Sequence, residues 1–568
     1  MKTNMHPASD SFHRLRSAQG PDMGTVLQTL ASLLWLPQAA LLAYAVQRLA
    51  DGGGIDVVKI PAVFLLLFGL LRAACDASGS RRVFKTARNH LSALRTQAAT
   101  MLAARSPLDV DRPASGLAAS VMAEQAEAII PYLTRYRPAR LRSMIVPIAI
   151  LLVVFPLSWI AALVLFVAAP LIPIFMALVG WRAKAASEAQ MLEMGGMNAF
   201  LLDRLRGLAT LRTLGAVQMT ALRLRDAAQS LRRRTMTVLR IAFLSSAVLE
   251  LFAALGVAMI AVYVGFHLLG QLEFGAWGNR LSLGQGLFIL LLAPAFFEPL
   301  RDLSAAWHDR AAGEAALDAL QRLSDTGLLL PDALGEQIFS ASEQVKAPSV
   351  AINGLLFFHG GASAPLFDDY VLDVESGEHI AIVAPSGGGK STLLSLIAGL
   401  VSAQAGEIKI DGLKLSASTV TTLRSRMIWI SQKPHIFAGS VRTNVTLGRP
   451  GVDAEDVEQA LQFAALDKVP QAKLGVALGE GGGGLSGGEA VRLALARAMV
   501  AQYADLLLVD EPTAHLDAAT AKEVSDALLQ LAQGKTMIVA THDPVLAARM
   551  DRQVVLSTAL NVDAEVAA

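Results

Sequence analysis

Residues 386–392 read Ser-Gly-Gly-Gly-Lys-Ser-Thr, a spacing suited to gripping a polyphosphate. Gly387, Gly388 and Gly389 leave room for backbone N–H groups to converge on phosphate oxygens. The positive end of a helix that follows adds to the attraction. Lys390 can reach terminal phosphate oxygens, and the Ser391 hydroxyl suits Mg²⁺, which prefers oxygen ligands. The full pattern of such a loop wants glycine at position 384, where this chain has Ala384. Ala384 lies at a strand exit, and most of the phosphate-facing amides come later. Its methyl is tolerated provided the backbone there avoids positive φ.

Further chemistry-bearing residues follow in order. Gln432 sits in "WISQKPHIF", and "LSGGE" covers 485–489. The apolar run "LLLVDEP" carries Asp510 and Glu511, "AHLD" covers 514–517, and "IVATHD" brings His542. "HIAIVA", ending at Ala384, and "DLLLVDEP" are short apolar runs bounded by turn signals, as buried parallel strands are. A helix is expected to begin near Lys390. From about residue 348 the chain therefore reads as an α/β domain with no membrane span.

The first half is different. The whole chain is 53% hydrophobic and only 17% charged, with mean hydropathy +0.46. A soluble protein of this length carries more charge. About 20 apolar residues cross roughly 30 Å of hydrocarbon, and six such spans are expected: 26–48, 57–76, 141–159, 161–181, 241–268 and 282–301. Arginines concentrate in the segments Arg81–Arg142 and Arg182–Arg240 and avoid the 51–56 connection. The positive-inside rule then places both termini and both basic segments in the cytoplasm. Those segments are rich in Ala, Leu, Arg and Glu, so helices continue out of the membrane. Breaks near 106–116 and 206–216 are their far turning points. The expected domains are a cytoplasmic segment 1–25, a transmembrane domain 26–310, a linker 311–347 and the α/β domain 348–568. Net charge +1 gives no support to a nucleic-acid partner. The single cysteine, Cys75, excludes an internal disulfide.

Taken in order, the loop, Gln432, "LSGGE", "LLLVDEP", "AHLD" and "IVATHD" resemble the nucleotide-binding domain of the ATP-binding cassette transporters. The resemblance implies an all-α membrane domain fused to a P-loop α/β cassette, with ATP and Mg²⁺ as cofactors. It implies that Ser386, Gly387, Gly388, Gly389, Lys390, Ser391 and Thr392 bind phosphate, and that Ser391, Asp510 and Gln432 serve the metal. Glu511 would polarise the attacking water, His542 would contact the γ-phosphate, and Gln432 would join the metal to the membrane half. Ser486, Gly487, Gly488 and Glu489 would close on the ATP of a second cassette. Glu489 replaces a commoner glutamine, leaving a carboxylate that Arg492 could screen one turn along. Phe358 matches the aromatic that stacks on adenine; packing within a small sheet is its other reading.

Six spans ahead of one cassette resemble the exporter-type half-transporter, with 106–116 and 206–216 as coupling helices. Stretches such as "FLLDRLRGLATLRTLGA" (200–216), "LFILLLAPAFFEPLRDL" (287–303) and "PHIFAGSVRTNVTLGRP" (434–450) are similar to the CydD subunits of bacterial CydDC exporters. That resemblance implies an inner-membrane heterodimer with a CydC-type subunit, embedded in lipid. It implies export of cysteine and glutathione to the periplasm in support of cytochrome bd assembly, with haem as an alternative cargo. A homodimeric lipid or drug exporter and a redox-sensing module with incidental ATPase are the rivals. Glu250, inside span five, and Glu298, in span six, face either a polar cavity or a partner helix. His90, His267 and His308 are isolated and read as structural rather than haem-ligating.

Restoring the expected glycine tests the loop. Ala384→Gly should change ATP affinity and turnover by less than about tenfold, roughly 1.4 kcal/mol, in a nucleotide titration and a steady-state ATPase assay.

Overall fold

The structure, a computed structural model, describes residues 22–113, 115–170, 174, 197, 200–201, 204–205, 207–277, 280–324, 327–332, 346–360, 362, 364–479, 484–501 and 503–556. The chain divides into two compact units, Met1–Ala98 with Ser115–Ser324 and Ala99–Ala114 with Asp325–Ala568.

The described part of the first unit is helical. Helices α1 (Met23–Leu33) and α2 (Trp35–Ala50) form one apolar stretch of 28 residues. Helix α3 (Asp56–Ala103) has 48 residues, about 72 Å at 1.5 Å per residue. That is more than twice the hydrocarbon thickness, so its arginine-rich second half leaves the bilayer. Helices α4 (Arg137–Val154), α5 (Trp159–Pro170), α6 (Val217–Leu268), α7 (Leu283–Ala305) and α8 (Trp307–Ser324) follow. Four stretches are long and apolar enough to cross a membrane, and they coincide with the first, second, fifth and sixth expected spans. The third and fourth expected spans fall on α4 and α5, with shifted ends. The chain turns at Phe155–Leu157, inside the stretch "FPLSW" (155–159) where a tight turn between the two spans is expected. Ser158 sets that boundary. Its Oγ accepts from the Ala161 N–H at 3.2 Å, opening α5, and donates to the Gly275 carbonyl at 2.8 Å. The end of the fourth span lies outside the described residues, as do most of 175–206 and the 333–345 part of the linker.

Leu165, Ile260, Ile289, Leu292 and Phe296 are fully buried in the core of this unit. Gly256 on α6 meets the Phe297 ring of α7 so closely that an added Cβ would lie 2.5 Å from Cζ. Cys75 is half-buried on α3.

The second unit holds two large sheets, besides a two-stranded pairing of Gly439–Ser440 with Ala477–Leu478. Strands β1 (Val350–Phe357), β2 (Phe367–Val374), β4 (Ala405–Ile410) and β5 (Leu413–Lys414) make an antiparallel sheet in the order β2-β1-β4-β5. The parallel sheet joins β3 (His379–Val383), β6 (Met427–Ile430), β7 (Leu506–Asp510), β8 (Thr536–Ala540) and β9 (Arg552–Val555) in the order β9-β3-β8-β7-β6. Every residue of β7 and β8 is buried, as strands covered on both faces must be. The turning point after α3 belongs to this unit. Ser106 donates through its N–H to Leu328 O at 2.8 Å and through Oγ to Leu400 O at 2.6 Å. Leu330 N–H reaches Ala104 O at 2.8 Å.

The α6–α7 contact predicts an asymmetry between two glycines of α6. Gly256→Ala should overpack the helix pair and destabilise the protein by about 1–3 kcal/mol. Gly265→Ala, with nothing within 4 Å of the new methyl, should be neutral or stabilising. Thermal unfolding midpoints in detergent check the pair.

Candidate functional site

Three adjacent parallel strands deliver the chemistry. Register pairs Ala540 of β8 with Ile382 of β3 on one side and with Asp510 of β7 on the other. The three chains therefore leave the sheet side by side, at the carboxyl ends where α/β sheets bind ligands. The glycine loop follows β3, Glu511 follows β7, and Thr541 and His542 follow β8.

The loop closes into a helix at Lys390, as its sequence requires; this helix, α9, runs Lys390–Ile397. Gly387 and Gly389 have φ of 80° and 84°, which side-chain-bearing residues avoid. Positive φ among described non-glycine residues occurs at Asp369, Asp411, Leu447, Ala465, Glu511 and His515, so Ala384 meets the condition on its methyl. A Cβ on Gly388 would lie 2.9 Å from the Ala384 Cβ. The methyl at 384 thus occupies space that the glycine at 388 leaves open.

Lys390 is buried, and its Nζ donates to Ala384 O at 2.7 Å and Pro385 O at 3.3 Å. It also lies 3.2 Å from Glu511 Oε1. The other carboxylate oxygen of Glu511 faces His542 Nδ1. Glu511 holds φ at 47°, anchored by its N–H on Ala540 O at 2.8 Å. Asp510 is buried beside it, and its Oδ1 has no hydrogen-bond partner. Burial pushes the Asp510 carboxyl above its ordinary range, with the neighbouring Glu511 adding to the rise; a hydrogen bond from Ser391 and the charge of Lys390 oppose it. A buried carboxylate oxygen left open beside a serine hydroxyl is a donor set that fits Mg²⁺.

The segment "LSGGE" opens a different helix, α10 (Gly487–Met499). Ser486 and Glu489 cap it reciprocally: Glu489 N–H to Ser486 Oγ at 3.3 Å, and Ser486 N–H to Glu489 Oε2 at 2.7 Å. The Glu489 carboxylate is thereby turned back on its own helix. Arg492 does not screen it, contrary to expectation; it donates to Ala465 O at 3.2 Å and to Glu523 at 3.4 Å. Gln432 is exposed in the turn after β6. No hydrogen bond among the described residues links Gln432 or 486–489 to Lys390, Asp510, Glu511 or His542.

Phe358 sits at the end of β1. Its backbone is held on both sides by Gln404, N–H to Oε1 at 3.0 Å and O to Nε2 at 3.3 Å. The next residue, His359, escaped the sequence reading. Its Nε2 is 3.3 Å from Thr392 Oγ1 on α9, and its ring stands edge-on to Phe357. The signal was the strand period: Leu355 and Phe357 are buried, and 359 is the next residue in phase. Glu250 is held by Arg301, whose Nη1 meets its two oxygens at 2.9 and 3.0 Å. The buried His267 accepts from Leu281 N–H at 3.3 Å, while His90 and His308 are exposed. No metal-binding cluster of His, Cys, Asp and Glu occurs among the described residues.

The family model "ABC transporter transmembrane region" matches residues 23–299, and the model "ABC transporter" matches 367–514. The glutathione/L-cysteine transport system ATP-binding/permease protein CydD of Haemophilus influenzae is 35% identical over 91% of this chain and 87% of its own. CydD of Escherichia coli K12 is 33% identical over 92% and 88%. The chain belongs to the CydD-type ABC exporters. The transport ATP-binding protein AarD of Providencia stuartii is 36% identical over 91% of this chain and 87% of its own. A bacterial Atm1-family ABC exporter solved with ATP bound shares the fold, with a TM-score of 0.75 at 22% identity over 94% of this chain and 92% of that one. As an ABC exporter subunit, the chain is a multi-pass membrane protein whose cassette binds ATP and couples its hydrolysis to transport.

The placement of His359 yields a test. His359→Ala should weaken ATP binding by about three- to tenfold, whereas Phe358→Ala should change it less than about twofold. Equilibrium titration with ATP distinguishes them.

Proposed function

We propose that this chain is one half of a heterodimeric exporter, paired with a CydC-type subunit in a bacterial inner membrane. It moves glutathione and cysteine from the cytoplasm to the periplasmic side, with both termini cytoplasmic. The observation that carries the reading is the meeting of Lys390, Asp510, Glu511 and His542 at three adjacent strand ends, in a chain that also crosses the membrane. The relatives named for glutathione and cysteine transport, aligned over most of their length, supply the cargo class.

The roles follow from position. Lys390 and the amides of Gly387–Ser391 hold the β- and γ-phosphates, and Thr392 and His359 lie at the flank of α9. Ser391 and Asp510, joined by Gln432, would hold Mg²⁺, which when bound would neutralise charge on the phosphates. A phosphate drawn to Lys390 competes with Glu511 for the ammonium. ATP entry thereby releases one Glu511 oxygen, and the carboxylate can orient a water and take its proton. His542, held through Nδ1 against Glu511, is left with Nε2 to donate to the γ-phosphate as that water attacks. Ser486, Gly487 and Gly488, at the start of a helix, present their amides to the ATP of the second cassette. Closure of the two cassettes favours one arrangement of the membrane helices, and hydrolysis releases it. The second turning point supports a dimer. Its short helix Leu208–Thr213 leaves Leu208 and Leu214 exposed, as a surface meant for another cassette would be.

Inside-out vesicles carrying this chain and a CydC-type subunit should accumulate labelled glutathione and cysteine only with ATP. Glu511→Gln should cut that uptake by about a hundredfold or more while ATP still binds. Undiminished uptake in the variant would remove Glu511 from the mechanism, and uptake of haem in place of thiols would overturn the cargo.

A further inference from the structure

A cavity of about 810 Å³ opens inside the membrane unit, among α1–α2, α3, α4 and α7. Part of its wall is apolar: Trp35, Gly69, Val146, Ile150 and Leu291. The rest carries six charged side chains, Arg72, Asp76, Arg142, Glu298, Arg301 and Asp302. Charges within membrane-spanning segments are costly, and where they persist they mark a pathway or a partner. The partners are therefore worth counting.

Arg301 is neutralised by Glu250, as described above. Asp302 is paired with Arg142 at 3.3 Å. That pair uses one end of the Arg142 guanidinium; its Nε is buried without a hydrogen-bond partner. Arg72 lies over the Trp35 ring, 5.4 Å from the centroid. Neither Arg72 nor Asp76 nor Glu298 has a hydrogen bond or ion pair among the described residues. Two guanidinium groups with open donors and two open carboxylates thus share one wall. A second, smaller cavity of about 310 Å³ uses Asp76, Arg142 and Asp302 again and adds Gln28, Ser80 and Thr134.

We propose that this cavity is the cargo site, and that it selects a zwitterionic peptide of glutathione size over a single amino acid. The proposal rests on the transport reading above. Carboxylates of the peptide meet Arg72 and the exposed part of the Arg142 guanidinium, and its ammonium meets Asp76 or Glu298. Guanidinium groups are suited to planar carboxylate recognition. The volume lies within the roughly 300–1,000 Å³ of small-molecule sites, and a lone amino acid would leave most of it to water and span only one charge pair. The apolar wall receives the uncharged middle of the peptide.

The test uses the full chain with its CydC-type partner in lipid nanodiscs without ATP. Three labelled probes are titrated: glutathione, its diethyl ester and cysteine. Glutathione should bind, and the other two should bind at least about tenfold more weakly. Arg72→Gln and Glu298→Gln should each weaken glutathione binding by about tenfold, and Arg72→Lys, which keeps the charge but loses the planar fork and the ring contact, should fall between Arg72→Gln and wild type. Equal binding of glutathione and its ester, or wild-type affinity in both neutralising variants, would overturn the proposal. The ester comparison needs no substitution and so survives a variant that does not fold. If wild-type vesicles still transport glutathione in that case, the site is wrong and the transport reading stands. If they transport no thiol, both fall.

Discussion

Lys390 is an ammonium taken out of water at the foot of a helix, and an uncompensated buried charge costs several kcal/mol. Three oxygens compensate it: two carbonyls of its own loop and the carboxylate of Glu511. Only one of the three, Glu511, is distant in sequence, and it arrives through the register of β3, β8 and β7. A slip of one residue in either pairing would turn its side chain to the opposite face. Glu511 also holds a left-handed backbone, a conformation that costs of order 1–3 kcal/mol in a non-glycine residue. It persists because the main chain is tied to Ala540 and the carboxylate is gripped from both sides. The same gripping makes the site responsive, since whatever competes for Lys390 also changes the partners of Glu511.

How much of this could be read from the residues depended on how local the cause was. The phosphate loop was legible because its chemistry lies within seven residues and its glycines have no other purpose. The spans were legible because hydropathy sums over twenty residues and tolerates error at each one. The ends were less so: α4 begins among Arg137, Arg140 and Arg142, residues that read as cytoplasmic on charge alone, and Ser158 ends the turn through contacts with Gly275 and Tyr263 more than one hundred residues away. Of the antiparallel sheet of the cassette only a small sheet around Phe358 was anticipated, because the pairing of β1 with β2 and β4 involves register shifts that no single strand announces.

Side-chain roles show the same division. Position 489 read as an intruding carboxylate because its neighbours were judged one turn forward, at Arg492. Three residues back, Ser486 offered the stronger partner, since a glutamate at the third helical position completes a capping box. A glutamine can make the same bond, which is why the exchange leaves the helix start intact. His359 was passed over because Phe358 looked more like an adenine-stacking ring, yet alternation along β1 turns 359, not 358, toward α9. Glu250 could be recognised as anomalous in an apolar span, but its partner Arg301 is fifty-one positions away on another helix and no sequence period connects them.

Helix α7 draws these membrane-unit observations together. It supplies Glu298, Arg301 and Asp302, and through the last two it is ion-paired to α6 and α4. It also contains Pro294 and Pro299, each of which removes a backbone hydrogen bond and would cost about 3 kcal/mol in a helix under no other demand. Both prolines lie in the cavity wall, in the same turns as the charged residues. A helix bends most readily where its hydrogen-bond ladder is interrupted. Bending α7 at those turns would move Glu298 relative to Arg72 and strain the Arg142–Asp302 pair while leaving the tightly packed Phe296 and Phe297 face against α6. Glu298, one of the carboxylates open to a zwitterion, therefore sits on a stretch of α7 whose geometry is cheap to change, facing charges carried by other helices.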